Sequence, residues 1–203
     1  MHTPFPIFTI FFFFCLFVFF RIRHLQSRRE ERDAAFWARE EAAMHAPNAD
    51  LSKVPFLQIP LERFPMGLLQ TDEAGLIEEE LRTLAAKPIL NLSGMTNTDI
   101  RLAYGADNFD YMQNVGENFD RLEVLLCDFA KLLIENGHSI EAIPVLEYAV
   151  ENNATISSIY TLLGECYDDA GDGDALNALI ATVEGRDMMM QASILDHLRG
   201  LIV

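Results

Sequence analysis

Side chains able to do chemistry are sparse in this 203-residue chain. The five histidines are scattered, and HExxH, GxSxG and a phosphate-binding glycine loop are all missing. Those motifs need fixed offsets, because paired ligands must share one helix face and phosphate is cradled by successive backbone N–H groups. The densest acidic run, DDAGDGD, holds Asp168, Asp169, Asp172 and Asp174, the hard oxygen donors a divalent cation would take. Laid on a calcium-binding EF-hand loop, it lacks the spaced Asp/Asn set and the glutamate at position twelve. A solvated turn between helices is the expectation, with divalent binding the alternative. No catalytic residue, cofactor, metal or small-molecule substrate is indicated, and the chain is not expected to be an enzyme.

The three cysteines, Cys15, Cys127 and Cys166, form no CxxC pair and no even framework. Cys127 and Cys166 are expected as reduced thiols in a reducing compartment, used as small core side chains.

Charge divides the chain sharply. Residues 1–32 carry five arginines against Glu30 and Glu31, a net +3, whereas residues 33–203 carry ten basic and twenty-nine acidic side chains, a net −19, which together make −16. Clustered Lys and Arg are what phosphate binding requires, so nucleic acid is not an expected partner. An anionic bilayer should repel the acidic body and attract the arginine-rich segment.

Nine of the fifteen phenylalanines lie in the first twenty positions. The run FPIFTIFFFFCLFVFF, residues 5–20, has no charge, and sixteen to eighteen residues of helix give roughly 24–27 Å, the short end of a membrane span. Pro4 and Pro6 stand at its start, where a missing N–H is tolerated. A cleaved signal peptide would show a basic segment before the run and small residues after it, but arginines follow here. A lipoprotein would need small residues before Cys15, which follows four phenylalanines. A single-pass anchor over residues 1–22 is therefore expected, contacting membrane through residues 5–22. Because Lys and Arg favour cytoplasmic flanks, RIRHLQSRREER places the C-terminal domain in the cytoplasm at the cell membrane. In that orientation the glycosylation patterns at Asn91 and Asn153 are chance matches.

Residues 23–46 read as a charged helical stalk rich in helix formers, with Phe36 and Trp37 docking on the domain or the lipid interface, or meeting a partner. Residues 47–70 contain Pro47, Pro55, Pro60 and Pro65, which forbid a helix, yet keep many apolar residues; an extended strap packed along the domain is expected. Residues 71–120 read as short helices: one capped by Thr71 or Asp72 and running to about Ala86, then IRLAYG and FDYMQNV, stopped by Gly105 and Gly116.

Shifted by 34 residues, the last part of the chain matches itself: Leu126 with Tyr160, Phe129 with Leu163, Ala130 with Gly164, Leu133 with Tyr167, and Gly137 with Gly171. Each unit reads as helix–turn–helix, with helices at about 119–136, 139–152, 155–169 and 173–184. On these residues the two units resemble tetratricopeptide repeats, whose pattern of a large residue, Leu-Gly and Tyr is supplied by Tyr160, Leu163-Gly164 and Tyr167, with Ala142, Leu146 and Ala149 at the second-helix positions. The second unit departs from the pattern at Ala175 and Val183. The layout as a whole also resembles uncharacterised single-pass membrane-anchored proteins of anaerobic Gram-positive bacteria, which contribute no activity. Because about three repeats are needed to bury such faces, residues 121–203 are expected to comprise two repeats and a capping helix within MMMQASILDHLRGLIV, with the strap and the 72–120 helices covering the other side.

The resemblance implies a groove lined by Val124, Cys127, Lys131, Ile134 and Glu135 of one helix and Ser158, Thr161, Glu165, Asp168 and Asp169 of the next. Of these, Lys131, Thr161, Glu165, Asp168 and Asp169 are the candidate partner-binding residues, and the acids favour a protein partner with a basic segment. The fold expectation is all-α: a transmembrane helix, two repeat-like hairpins and a cap. The function expectation is a non-enzymatic scaffold or adaptor on the cytoplasmic face, with a structural or accessory subunit of a membrane complex as the alternative.

Overall fold

The computed structural model describes residues 5–202, and of residues 5–9 and 25–29 the helical backbone alone. The fold is all-α, 71% helical and without strands among the described residues. The helices are α1 Phe5–Met44, α2 Asp72–Ala85, α3 Asn97–Tyr104, α4 Phe109–Glu135, α5 Ser139–Glu151, α6 Ser157–Asp169, α7 Gly173–Glu184 and α8 Gln191–Leu201. Two compact units result, Met1–Ala49 with Thr96–Phe109, and Asp50–Met95 with Asp110–Val203.

In the first unit, the segments expected as anchor and stalk lie in one helix of 40 residues, about 60 Å long at the α-helical rise. The transmembrane helix expected over residues 5–22 is not found as such: among the described residues no helix is long and apolar enough to cross a membrane. The uncharged stretch with described side chains is residues 10–20, and Arg21 and Arg23 follow it within the same helix. The stalk end of α1 is held by α3. Ala43 is buried there, Arg39 pairs with Asp99, and the Thr98 hydroxyl donates to Glu40. Thr96 and Asp99 cap α3 reciprocally, which satisfies two N–H groups the helix would leave orphaned. At its other end Gly105 takes φ +102, and a Cβ there would sit 2.4 Å from the Cα of Asn48, so only glycine lets the two backbones meet. Phe36 and Trp37 stack on each other edge to face at 5.3 Å and stay exposed, because the face of α1 turned to α3 is the one carrying Glu40 and Ala43.

In the second unit, one core joins α2, α4, α5, α6, α7 and α8 to the strap. Pro55, Pro60 and Pro65 keep the strap extended apart from two short 3-10 turns, Leu51–Lys53 and Leu61–Arg63. It is tied by backbone and side chain: Leu57 N–H donates to Ile89 at 2.8 Å, the Tyr148 hydroxyl donates to the Gln58 carbonyl at 3.0 Å, and Phe64 meets the Tyr148 ring edge to face. Gly67 N–H donates to the buried carboxylate of Glu78 at 2.6 Å, which Arg82 also reaches at 3.0 Å.

The expected stop at Gly116 is absent, and α4 runs through it. Glycine costs a helix interior about 1 kcal/mol relative to alanine. The buried side chains Met112, Val115 and Phe119 on either side outweigh that, while Leu92 packs over the bare glycine. The hairpins α4–α5 and α6–α7 turn at Gly137 and Gly171, both left-handed.

Candidate functional site

The ten residues expected to line one groove fall into separate environments. Cys127 of α4 and Ser158 of α6 meet at 3.3 Å, sulfur to oxygen, which brings the two helices together at a buried thiol. Beyond that point the sets diverge. Ser158 and Thr161 line a depression of about 240 Å³ with Met190, Ser193, Ile194 and His197 of the α8 region. The Thr161 hydroxyl donates to the Ser158 carbonyl of its own helix at 3.1 Å. One turn on, Glu165 meets His197 Nε2 at 2.9 Å. The C-terminal helix thus lies against the face of α6 that the resemblance reserves for a partner. Asp168 and Asp169 are exposed at the end of α6. Asp172 accepts the Ala175 N–H at 2.9 Å as the cap of α7, so the acidic run forms a capped turn. Among the described residues no three His, Cys, Asp or Glu side chains are placed to hold a metal ion.

Lys131 and Glu135 open instead onto a depression of about 400 Å³ between α2 and α4, lined also by Glu73, Leu76, Ile77, Glu80, Arg121, Leu125, Asp128 and Leu132. Its apolar part includes Leu76, 73% exposed. Its rim is acidic. Arg121 grips Glu80 with two parallel bonds of 2.5 and 2.6 Å, and that guanidinium holds the Glu80 carboxyl below its ordinary range. Lys131 pairs with Asp128 at 3.4 Å. Both cations of the rim therefore face carboxylates of the rim, and Glu73 and Glu135 leave it net negative by two. Nothing in the sequence singled out Glu73 or Leu76, since a leucine in an acidic amphipathic helix reads as core until the neighbouring helix is placed.

A larger depression, about 730 Å³, is walled by the 91–94 and 153–155 turns and by the 186–189 loop. Its polar groups are engaged: Asn91 donates to the carbonyls of Asn152 and Asn153, and Arg186 donates to the Tyr160 hydroxyl and the Val150 carbonyl at 2.7 and 2.9 Å. The Tyr160 hydroxyl donates to Ala154 at 2.7 Å. This network ties loops together.

No protein-family model, curated protein or solved structure matches the chain. The α2–α4 depression combines exposed aliphatic surface with an acidic rim, a surface complementary to a basic, partly apolar segment.

Proposed function

We propose that the chain is a membrane-tethered, non-catalytic interaction module, its helical body held at the cytoplasmic face of the cell membrane to bind a protein partner. The observation that carries this reading is the start of α1. Phe11, Phe12, Phe13, Phe14, Phe17, Phe19 and Phe20 are each more than half exposed and fall on every side of the helix, whereas in the second unit Phe64, Phe119 and Phe129 are buried and Phe56 is half-buried. Water is a poor solvent for such a surface, and a helix apolar all round belongs in a core or in lipid. With residues 5–9 the uncharged run reaches about 24 Å. The hairpins α4–α5 and α6–α7 with α8 at their end support a tetratricopeptide-like interaction scaffold. In place of the α6 groove, the acidic α2–α4 depression is the partner surface.

The test of tethering is extraction of membranes from cells making the full chain. Alkaline carbonate should leave the protein in the pellet and detergent should release it; release by carbonate alone would overturn the reading. Partner binding is tested by capture from detergent-solubilised membranes. A partner should be lost on Glu73→Gln/Glu135→Lys substitution and kept on Asp168→Asn/Asp169→Asn substitution.

A second reading, a structural or accessory subunit of a membrane complex assembled through anchor and stalk, is favoured by the exposed Phe36–Trp37 pair. Crosslinking at Trp37 that captured a membrane subunit would support it over the first.

A further inference from the structure

We propose that the depression between α2 and α4 is a docking site for the arginine-rich segment of α1 from a second copy of this chain, residues 21–32. The inference rests on reading the chain as an interaction module and names the partner. Three observations converge. The depression offers Leu76, Ile77 and Leu132 inside a rim carrying four carboxylates and two cations, and both cations are matched by rim carboxylates. What remains is a demand for about two positive charges beside apolar surface, which a basic helix with a short apolar stripe meets. The sequence contains one segment of that kind, RIRHLQSRREER, in which Ile22 and Leu25 are three residues apart and Arg21, Arg28 and Arg32 repeat at helical spacing. Outside the first 32 residues the chain is net −19. Arg21, Ile22, Arg23 and His24 are all exposed, so the face that would dock is open along at least its first turn.

The fit has a defined geometry of forces. Ile22 and Leu25 cover Leu76 and Ile77, and arginines meet the rim carboxylates of Glu73 and Glu135. Arginine suits the carboxylates because its planar fork bonds them in pairs, as Arg121 already does with Glu80 inside the rim. Self-association through such a contact is heterologous, one copy's segment in the next copy's depression.

The experiment uses the full chain in neutral detergent micelles and a fluorescein-labelled peptide of residues 21–32, read by fluorescence anisotropy. Saturable binding is expected, weakened about tenfold or more by Glu73→Gln/Glu135→Lys in the chain and weakened again on raising salt from about 0.05 to about 0.5 M. Both substitutions lie at exposed positions and Glu135→Lys places a cation at a helix C-terminus, where it is favoured, so the variant should keep its far-ultraviolet circular dichroism and thermal midpoint. Leu76→Ser supplies a second, charge-neutral variant, expected to weaken binding severalfold. Absence of saturable binding, equal binding of a scrambled peptide of the same composition, or binding unchanged in both variants would overturn the proposal. If the peptide fails while membrane capture returns a different partner that the Glu73/Glu135 variant loses, the interaction-module reading stands and the second-copy assignment falls.

Discussion

Glu123 is 3% exposed on α4 and carries a carboxylate that accepts the Thr155 N–H at 2.8 Å and the Thr155 hydroxyl at 2.7 Å. Burial raises its pKa above the ordinary value of 4.5, and the two bonds from Thr155 only partly oppose it. The folded state therefore binds the proton more tightly than the unfolded chain, so this group's contribution to stability is full below about pH 4.5 and is lost as pH rises through its folded pKa. Glu123→Gln removes the titration, so the stability of the native chain relative to this variant should fall as pH rises through that window. Urea unfolding midpoints across pH would show it, and a difference that grew with pH would contradict the assignment. The thiol of Cys166 is a second residue-scale case: burial, ahead of the neighbouring Asp169 and Glu165, pushes it up to about 11. With so little thiolate at neutral pH, iodoacetamide should leave Cys166 unlabelled in the folded protein and label it only in denaturant. Neither environment could be read from the sequence beyond the guess that a lone cysteine is core, because Glu123 looked like one more acid on a helix until Thr155 of the next hairpin was placed over it.

Gly164 shows how one small residue lets an element seat. A Cβ there would lie 2.2 Å from Leu198 Cδ2 and about 3.5 Å from Leu176 and Leu201, and Leu198 is fully buried with no solvent to retreat into. Gly164→Ala gains helix propensity of about 1 kcal/mol but overpacks the contact with α8 by about 1–3 kcal/mol. A net loss of about 1 kcal/mol in chemical denaturation is expected, smaller in a Leu198→Ala background where room has been made; equal losses in both backgrounds would place the clash elsewhere. The 34-residue match pointed at this position, and α5, α6 and α7 lie within about two residues of where apolar periodicity set them, a limit that helix-end assignment shares. Gly116 was misread because glycine marks a stop only when no flanking core holds the helix together. Sequence spacing fixes which residues share a face of α6, but not that α8 returns to lie on it through Glu165 and His197. Leu76 and Glu73 of the α2–α4 depression were invisible for the same cause, since their significance depends on what α4 leaves uncovered.

At the scale of the whole molecule the governing feature is segregation: an apolar run, a basic segment of net charge +3 through residue 32, and a body of −19. Lys and Arg resist translocation more than Asp and Glu promote it, so orientation depends on where the cations sit rather than on net charge. Arg21, Arg23, Arg28 and Arg29 all lie C-terminal to the phenylalanines, and each has a counterpart test. Fusing green fluorescent protein to Val203 should give fluorescence and fusing alkaline phosphatase there should give no activity, as a cytoplasmic C-terminus requires. Replacing those four arginines with glutamine and placing lysines ahead of Phe5 should exchange the two signals, because the retained flank is then the other one. If the native chain instead gave active phosphatase and dark fluorescent protein, its body would stand outside, and the reduced state expected for Cys127 and Cys166 would lose its basis. If both fusions reported the cytoplasm before and after the exchange, α1 would lie on the bilayer without crossing it, and the arginines would act as surface contacts instead of topological stops.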